Sequence, residues 1–417
     1  MSERSSEVIY FIGGLFPKEK EGEIRNNSIS GLQSAANNLQ WRFVRGFDEH
    51  LGPGNVHIIN SEYIGSYPRR YKKLFIRRSE FTHSEGACAD INTGFLNAPV
   101  IKELSRLSSL KREINRIPDD VNSYIYFVGY AATYPIVEAL LYAKRRFPRS
   151  VSCLIVPDLP QYMELGKKKP SFLKRVKNAV VGKRMRLMDC YVPLTEAMIP
   201  FLCDEKSKCA VVEGIADDDL GSRNRVSGTI RRSGIERYVL YTGTLQYRYG
   251  IAELLSAFQR IGDRRVKLLI CGEGEAEEEI KVRAREDERI EYLGLLPSKK
   301  VENLRVGASV LVNPRRNKGD FTKFSFPSKM MEYLASGVPT VAYLLDGMPN
   351  DYRGLFIDAT EIGLQAAIEQ ALNMTDDDAA KLADAAKSHI LRTKNPRAQC
   401  GKVLSLLRRK AVGAYEG

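Results

Sequence analysis

Residues 313–342 read NPRRNKGDFTKFSFPSKMMEYLASGVPTVA. The pattern predicts a strand ending at Asn313-Pro314, a basic loop, a short helix from about Phe326 to Ser336, and a new strand from Pro339. Pro327 fits the first helical turn, where its missing N–H would be unpaired anyway. Gly337 fits the left-handed position that ends a helix. At helical spacing Met331, Leu334, Ala335 and Val338 form the buried face. Ser328, Lys329 and Glu332 share another face and lean toward the helix N-terminus. That end exposes unpaired N–H groups and partial positive charge, and Lys329 adds a full charge, so the turn suits an anion. Glu332 suits a pair of hydroxyls such as a ribose diol. The string thus reads as a nucleoside diphosphate site, with phosphates at the helix start and ribose one turn in. Taken alone, S-x-x-x-E also describes an ordinary amphipathic helix with a solvated Lys–Glu pair.

Outward from this segment, short apolar runs alternate with helical patterns. The runs are 8–16, 56–59, 124–128, 151–156 and 190–194, then 238–241, 266–271, 290–296, 308–312 and 339–345. Each has strand length, is rich in Val, Ile and Tyr, and is bounded by Gly, Pro or Asp. Helical patterns at 136–142, 251–261, 362–372 and 379–391 lie between or after them. Such alternation predicts parallel sheets covered on both faces. The pattern restarts near residue 237 after a polar, Gly-containing stretch, which divides the chain into 1–215, a linker 216–236, a second domain 237–395 and a terminal helix 396–417. In doubly wound sheets ligands bind beyond the carboxyl ends of the strands, so an interdomain cleft is the expected site.

A chain of 417 residues, 43% hydrophobic and 28% charged, is globular in composition and long enough for two cores. No apolar run reaches the length of a membrane span. Residues 8–16 read as a buried first strand rather than a signal peptide. The seven cysteines contain no C-x-x-C, which argues against a disulfide framework or zinc and for a reducing compartment. The net charge of +13 favours polyanionic partners: nucleic acid, an anionic membrane, or phosphorylated small molecules. With no zinc spacing, no recognisable binding module and a single Trp, nucleic acid is not expected.

The string F-x-F-P-S-K-x-x-E-Y-L-A-S-G-x-P resembles the donor-site motif of family-4 glycosyltransferases, retaining enzymes of the GT-B fold, and in particular bacterial members that build capsular or exopolysaccharide. YTGTLQYRYGIAELLSAF (241–258), LLICGEGEAEEEI (268–280) and IEYLGLLP (290–297) are similar to the family's other donor-domain strands. VPDLPQYM (156–163) and YVPLTEAM (191–198) are similar to its acceptor-domain strand ends. The resemblance implies two doubly wound Rossmann-like domains, with the terminal helix crossing back to the first. It also implies a nucleotide-diphosphate sugar as donor, a saccharide or lipid-linked sugar as acceptor, and a cytoplasmic location on the inner face of the membrane; no metal or other cofactor is expected, since no carboxylate cluster with ligand spacing appears and basic groups can replace one. Gly243, Thr244, Arg248, Gly272, Gly274, Leu295, Arg315, Phe326, Pro327, Ser328, Lys329 and Glu332 fall on its donor-binding positions. Lys329 and Arg248 are the expected catalytic cations against the leaving diphosphate; Arg316 and Lys323 are further candidates. The chain departs from the family at three places. Phe324 stands where the first of two glutamates is usual, and Thr244 and Tyr249 replace the Arg and Lys that flank the pyrophosphate.

Further features read two ways. Gly272-Glu273-Gly274 resembles part of a dinucleotide fingerprint, but the carboxylates crowding that turn would repel a pyrophosphate, and a sharp strand-end turn is the alternative. Gly13-Gly14 permits a close backbone approach to a ligand or merely a strand-to-loop turn; the resemblance places it near the donor phosphates. Asp158, between Pro157 and Pro160, is a candidate catalytic contact to acceptor or donor sugar, or else an Asp that starts a turn. Residues 167–186 hold Lys167, Lys168, Lys169, Lys174, Arg175, Lys177, Lys183, Arg184 and Arg186 with no acid among them. Interleaved with Val176, Val180 and Val181, they read as a basic amphipathic helix on an anionic membrane or as a solvated face. Arg69, Arg70, Lys72, Lys73, Arg77 and Arg78 form a second cluster. Two other readings stay open: a nucleotide-sugar epimerase of the same fold, and a non-catalytic partner subunit, which Phe324 favours.

Overall fold

The computed structural model describes residues 6–29, 32–119, 123–160, 172–216, 237–317 and 320–415. Contacts divide the chain into two compact units, Met1–Ile215 with Pro396–Gly417, and Ala216–Asn395. Apart from Ala216, the polar segment 216–236 lies outside the described residues.

The first unit is built on strands β1 (Glu7–Gly13), β2 (Val56–Asn60), β3 (Phe75–Ile76), β4 (Ser79–Phe81), β5 (Asp90–Asn92), β6 (Phe95–Leu96), β7 (Tyr124–Tyr130), β8 (Val151–Val156) and β9 (Cys190–Pro193). Its main sheet runs β4-β5-β2-β1-β7-β8-β9, parallel except for β4. All six residues of β8 are buried, as a central parallel strand covered on both faces requires. One face packs Ile9, Phe11, Ile58 and Val128 against Phe43 and Phe47 of the helix Ser34–Leu51 and Leu404 and Leu407 of the helix Pro396–Tyr415. These two helices touch closely: Cys400 Sγ donates to the Phe43 carbonyl at 3.4 Å. Arg408 of the last helix pairs with Glu7 of β1 at 2.7 Å.

The second unit has strands β10 (Arg237–Thr242), β11 (Val266–Cys271), β12 (Ile290–Gly294), β13 (Val310–Asn313), β14 (Thr340–Ala342) and β15 (Ile357–Asp358). They form one sheet in the order β12-β11-β10-β13-β14-β15, every neighbour parallel. Counted along the chain this is 3-2-1-4-5-6, the doubly wound nucleotide-fold order. The two faces have separate cores. Val239, Leu268, Ile270 and Val312 pack on Leu254 and Phe258, while Leu240, Leu269 and Leu311 pack on Tyr333 and Leu304. Each of the ten apolar runs read from the sequence contains or overlaps a strand. The short strands β3 to β6 and β15, of two or three residues each, carry no comparable signal.

Candidate functional site

In a 3-2-1-4-5-6 sheet the order reverses between the first and fourth strands, so the loops leaving them diverge and open a crevice. In the second unit those are the loops after β10 and β13. They hold residues 243–250 and 314–327, most of the positions that the sequence singled out.

The helix spans Ser328–Ala335, with Pro327 ahead of it rather than in its first turn. Its start is two residues later than the sequence predicts, because Pro327 holds an extended backbone (φ −75°, ψ 98°). Gly337 has φ +72°, the left-handed end that was expected. Met331, Leu334, Ala335 and Val338 are buried; Ser328 is exposed, and Lys329 and Glu332 are half-buried. Phe326, placed among the donor-binding positions by resemblance, packs its ring on Tyr352 at 5.2 Å and belongs to the core. The helix is fixed to β10 by Tyr333, whose hydroxyl accepts from Thr242 N at 2.8 Å and donates to Thr242 O at 3.1 Å.

Glu332 is the electrostatic centre. Its Oε2 lies 2.9 Å from Lys329 Nζ and 2.6 Å from Arg305 Nη1. Both cations converge on that one oxygen. Burial alone would raise the Glu332 carboxyl, but Lys329 and Arg305 outweigh it and hold the group below its ordinary range. It is therefore an ionised acceptor at neutral pH, as binding a diol requires. Arg305 comes from the helix Ser298–Gly307 and its side chain is only 6% exposed. Its Nε is buried without a hydrogen-bond partner among the described residues. The sequence reading missed Arg305. It is one cation among several on a charged helix, and only the fold brings it to Glu332.

The cation positions also differ from the expectation. Tyr249, which replaces a lysine of the family pattern, seats two guanidinium groups: Arg248 lies 5.2 Å and Arg315 5.4 Å from its ring centre. Arg248 is exposed and donates to Gln246 at 2.6 Å. Arg315 is buried, bonds Ser325 at 2.5 Å, and has its pKa lowered by that burial. Arg316 is engaged elsewhere, with Glu253 at 2.5 Å and the Tyr343 hydroxyl at 2.9 Å. Thr244, Lys323 and Leu295 are exposed.

The glycines have packing reasons. Gly272 (φ +141°) lies so close to the loop after β10 that a Cβ would overlap the Gly243 carbonyl oxygen, and one on Gly274 would overlap the Leu245 carbonyl. The turn 272–274 thus holds the 243–245 loop in place through Leu245 N to Glu273 O, 2.9 Å, and Ala276 N to Leu245 O, 3.0 Å. In the first unit, a Cβ on Gly13 would strike the Gln40 amide and one on Gly14 the Tyr63 ring.

Asp158 lies two residues past β8. It is exposed, and partial desolvation by its surroundings pushes its carboxyl up to about 6. The basic segment is a helix at Phe172–Met185. Lys167, Lys168, Lys169 and the Lys174 side chain lie outside the described residues. Acids from other elements neutralise part of the rest: Lys177 pairs with Glu103, Arg184 with Glu138, and Arg186 with Asp204 at 2.8 Å. Arg175 and Lys183 are exposed together with Val176 and Val180, while Val181 and Met185 are buried. Among the described residues no helix is long and apolar enough to cross a membrane, and no group of three or more His, Cys, Asp or Glu could hold a metal ion.

Over nearly its whole length the chain shares its fold with several solved structures of low sequence identity. It superimposes on alpha,alpha-trehalose 6-phosphate synthase from Burkholderia multivorans with a TM-score of 0.65 at 11% identity, covering 98% of each chain. It matches Anabaena Alr3699/HepE, solved with UDP, at 0.60 and 12%, covering 96% of this chain and 100% of that one. It matches the lipopolysaccharide outer core galactosyltransferase WaaB at 0.61 and 11%, covering 96% and 99%. Among curated proteins none matches it in sequence. The class so defined is the GT-B fold. Residues 236–386, which include the whole site around Glu332, match the family Glycosyl transferases group 1. The second unit thus carries the match to a group 1 glycosyl transferase domain, and the chain is a transferase enzyme.

Proposed function

We propose that this enzyme transfers a sugar, with retention of configuration, from a nucleotide-diphosphate sugar to a hydroxyl of a saccharide or lipid-linked acceptor in bacterial cell-surface polysaccharide synthesis. The observation that carries the reading is the Glu332 carboxylate, kept ionised between Lys329 and Arg305 one turn inside a helix start at the sheet's reversal point. Because both cations take Oε2, Oε1 is left for the ribose diol. The N–H groups at Ser328 and the charge of Lys329 suit the diphosphate. Arg248 and the backbone at Gly243 and Thr244 supply the second side of the clamp, and together they stabilise the charge that grows on the leaving group. In this reading cationic side chains take the role a metal ion would otherwise have, so turnover survives chelation. Asp158 contacts acceptor or donor sugar. UDP bound to the HepE structure supports a nucleotide donor. The exposed Arg175, Val176, Val180 and Lys183 support a peripheral position on an anionic leaflet, where each cation is worth ~1 kcal/mol.

Incubation of the purified chain with radiolabelled nucleotide sugars and membrane extract tests this. Label entering lipid or saccharide is expected. Label remaining in free nucleotide sugar as an epimer would identify an epimerase instead. No turnover with any donor would leave a binding subunit, the role favoured by Phe324. A thermal-shift panel of nucleoside diphosphates then selects the base.

A further inference from the structure

The first unit contains a cavity of about 630 Å³ beside the carboxyl end of β2, and its lining combines three kinds of group. The first is a sequestered acid. Glu62, two residues past β2, is 2% exposed, and among the described residues it has no ion pair. Its Oε1 accepts from Asn92 Nδ2 at 2.8 Å; Asn92 Oδ1 accepts from Asn60 Nδ2 at 2.8 Å, which also donates to the Leu15 carbonyl at 2.8 Å. This chain of amides holds the carboxyl rigidly at the cavity wall. A buried acid without an ion pair is unfavourable in a packed core, and here it lines open space instead. Tyr71 adds a hydroxyl to the same lining.

The second is an aromatic platform. Phe75 lines the cavity while 69% exposed, held out by antiparallel pairing with Leu96. The third is positive charge. Lys20, Lys73 and Arg77 line the cavity against Glu23 and Glu62. Lys73 and Glu23 pair at 2.7 Å with both half exposed, a contact weak enough for a competing anion to displace.

We infer that this cavity binds a phosphorylated saccharide. The sugar ring lies on Phe75, its hydroxyls bond Glu62 and Tyr71, and its phosphate takes Lys20, Lys73 and Arg77. The basic cluster at residues 69–78 thereby gains a ligand role. Naming this saccharide the acceptor rests on the transferase reading above, whereas its binding needs no donor. The phosphate could come from a soluble sugar phosphate or from the sugar-diphosphate head of a lipid, and the test separates the two.

Calorimetry on the full chain uses glucose 6-phosphate, glucose, inorganic phosphate, and a polyprenyl-diphosphate-linked glucose in detergent micelles. One of the two phosphorylated sugars is expected to bind at least about tenfold tighter than glucose or inorganic phosphate, because ring and anion contacts combine. Binding of glucose 6-phosphate identifies a soluble ligand, and binding only of the micellar compound identifies a lipid head. The double variant Lys20→Ala/Arg77→Ala should weaken that binding about tenfold. Phe75→Ala should weaken it severalfold while leaving inorganic phosphate unaffected. Nucleoside diphosphate thermal shifts should be unchanged in both variants, so failure of this site is distinguishable from failure of the donor site. Equal binding of glucose and both phosphorylated forms, inorganic phosphate binding as tightly as either, unchanged affinity in both variants, or no binding from either source would each overturn the inference.

Discussion

The two units carry the same topological plan and use it differently. Leaving aside the antiparallel edge strand and the small β3–β6 pair, the first unit's sheet runs β5-β2-β1-β7-β8-β9, also 3-2-1-4-5-6 in chain order. In the second unit the reversal point is flanked by charge: Glu332 and Lys329 on the helix Ser328–Ala335 with Arg305 reaching them from the helix Ser298–Gly307, and Arg248 and Arg315 on Tyr249. In the first unit, the loop after β1 is packed with neutral groups. Gln40 Oε1 accepts from Gly14 N at 2.8 Å, and the Tyr63 hydroxyl donates to the Tyr130 carbonyl at 2.6 Å. Its ionisable groups collect instead beside β2 and β5. Topology sets where a crevice can open, and the side chains at the strand ends decide what it takes.

The largest effect expected from breaking this comparison is on the strand-end glycines. Gly272→Ala forces a Cβ into a backbone carbonyl at positive φ and should cost about 4 kcal/mol. Gly14→Ala meets the Tyr63 side chain, which can shift, and should cost roughly half as much. Chemical denaturation of both variants measures the difference.

Next in size is the response to pH, which runs in opposite directions in the two units. His83, buried in the first unit, lies 2.6 Å from Asp90 and 3.1 Å from Asp48. Burial alone would lower its pKa, but the two carboxylates outweigh it and push it to about 9, above the usual 6.5. This contribution is complete below about 6.5 and lost as pH rises through about 9, amounting to ~3 kcal/mol. Glu332 in the second unit has a lowered pKa, so its contribution is present above the ordinary 4.5 and lost as pH falls through the folded value. Hydrogen exchange resolved by region should show the first unit loosening in alkali and the second in acid. His83→Gln should flatten only the alkaline limb.

Glu332→Gln sharpens the comparison at the site itself. It leaves buried Arg305, whose Nε already lacks a partner, beside a neutral amide, and should cost ~2 kcal/mol of stability. Turnover should fall about a hundredfold, with the loss of nucleoside diphosphate thermal shift as the second readout. Smallest is Arg248→Ala. The residue is exposed, so stability should change by under about 0.5 kcal/mol while donor affinity drops about tenfold.

Much of the fold was legible because its signals are local. A central parallel strand must be apolar along its whole length, and Gly337 and the Pro327 boundary mark a helix by backbone chemistry alone. The boundary was misplaced by two residues because a proline is compatible with either side of a helix start. The ion pairs of the basic helix were not legible because Glu103, Glu138 and Asp204 lie in other segments. Glu62 gave no signal because an isolated acid after a strand is ordinary until its burial is known.

By itself the sequence determined the alternation of strands and helices, the polar break before residue 237, and the helix face bearing Ser328, Lys329 and Glu332. These follow from periodicity and backbone preference within a few residues. Only the tertiary structure decided that Arg305 meets Glu332, that Tyr249 carries two guanidinium groups, and that the 272–274 turn supports the 243–245 loop. Those pairings join positions dozens of residues apart, and nothing in a local pattern specifies which distant partner a charge or a glycine will face.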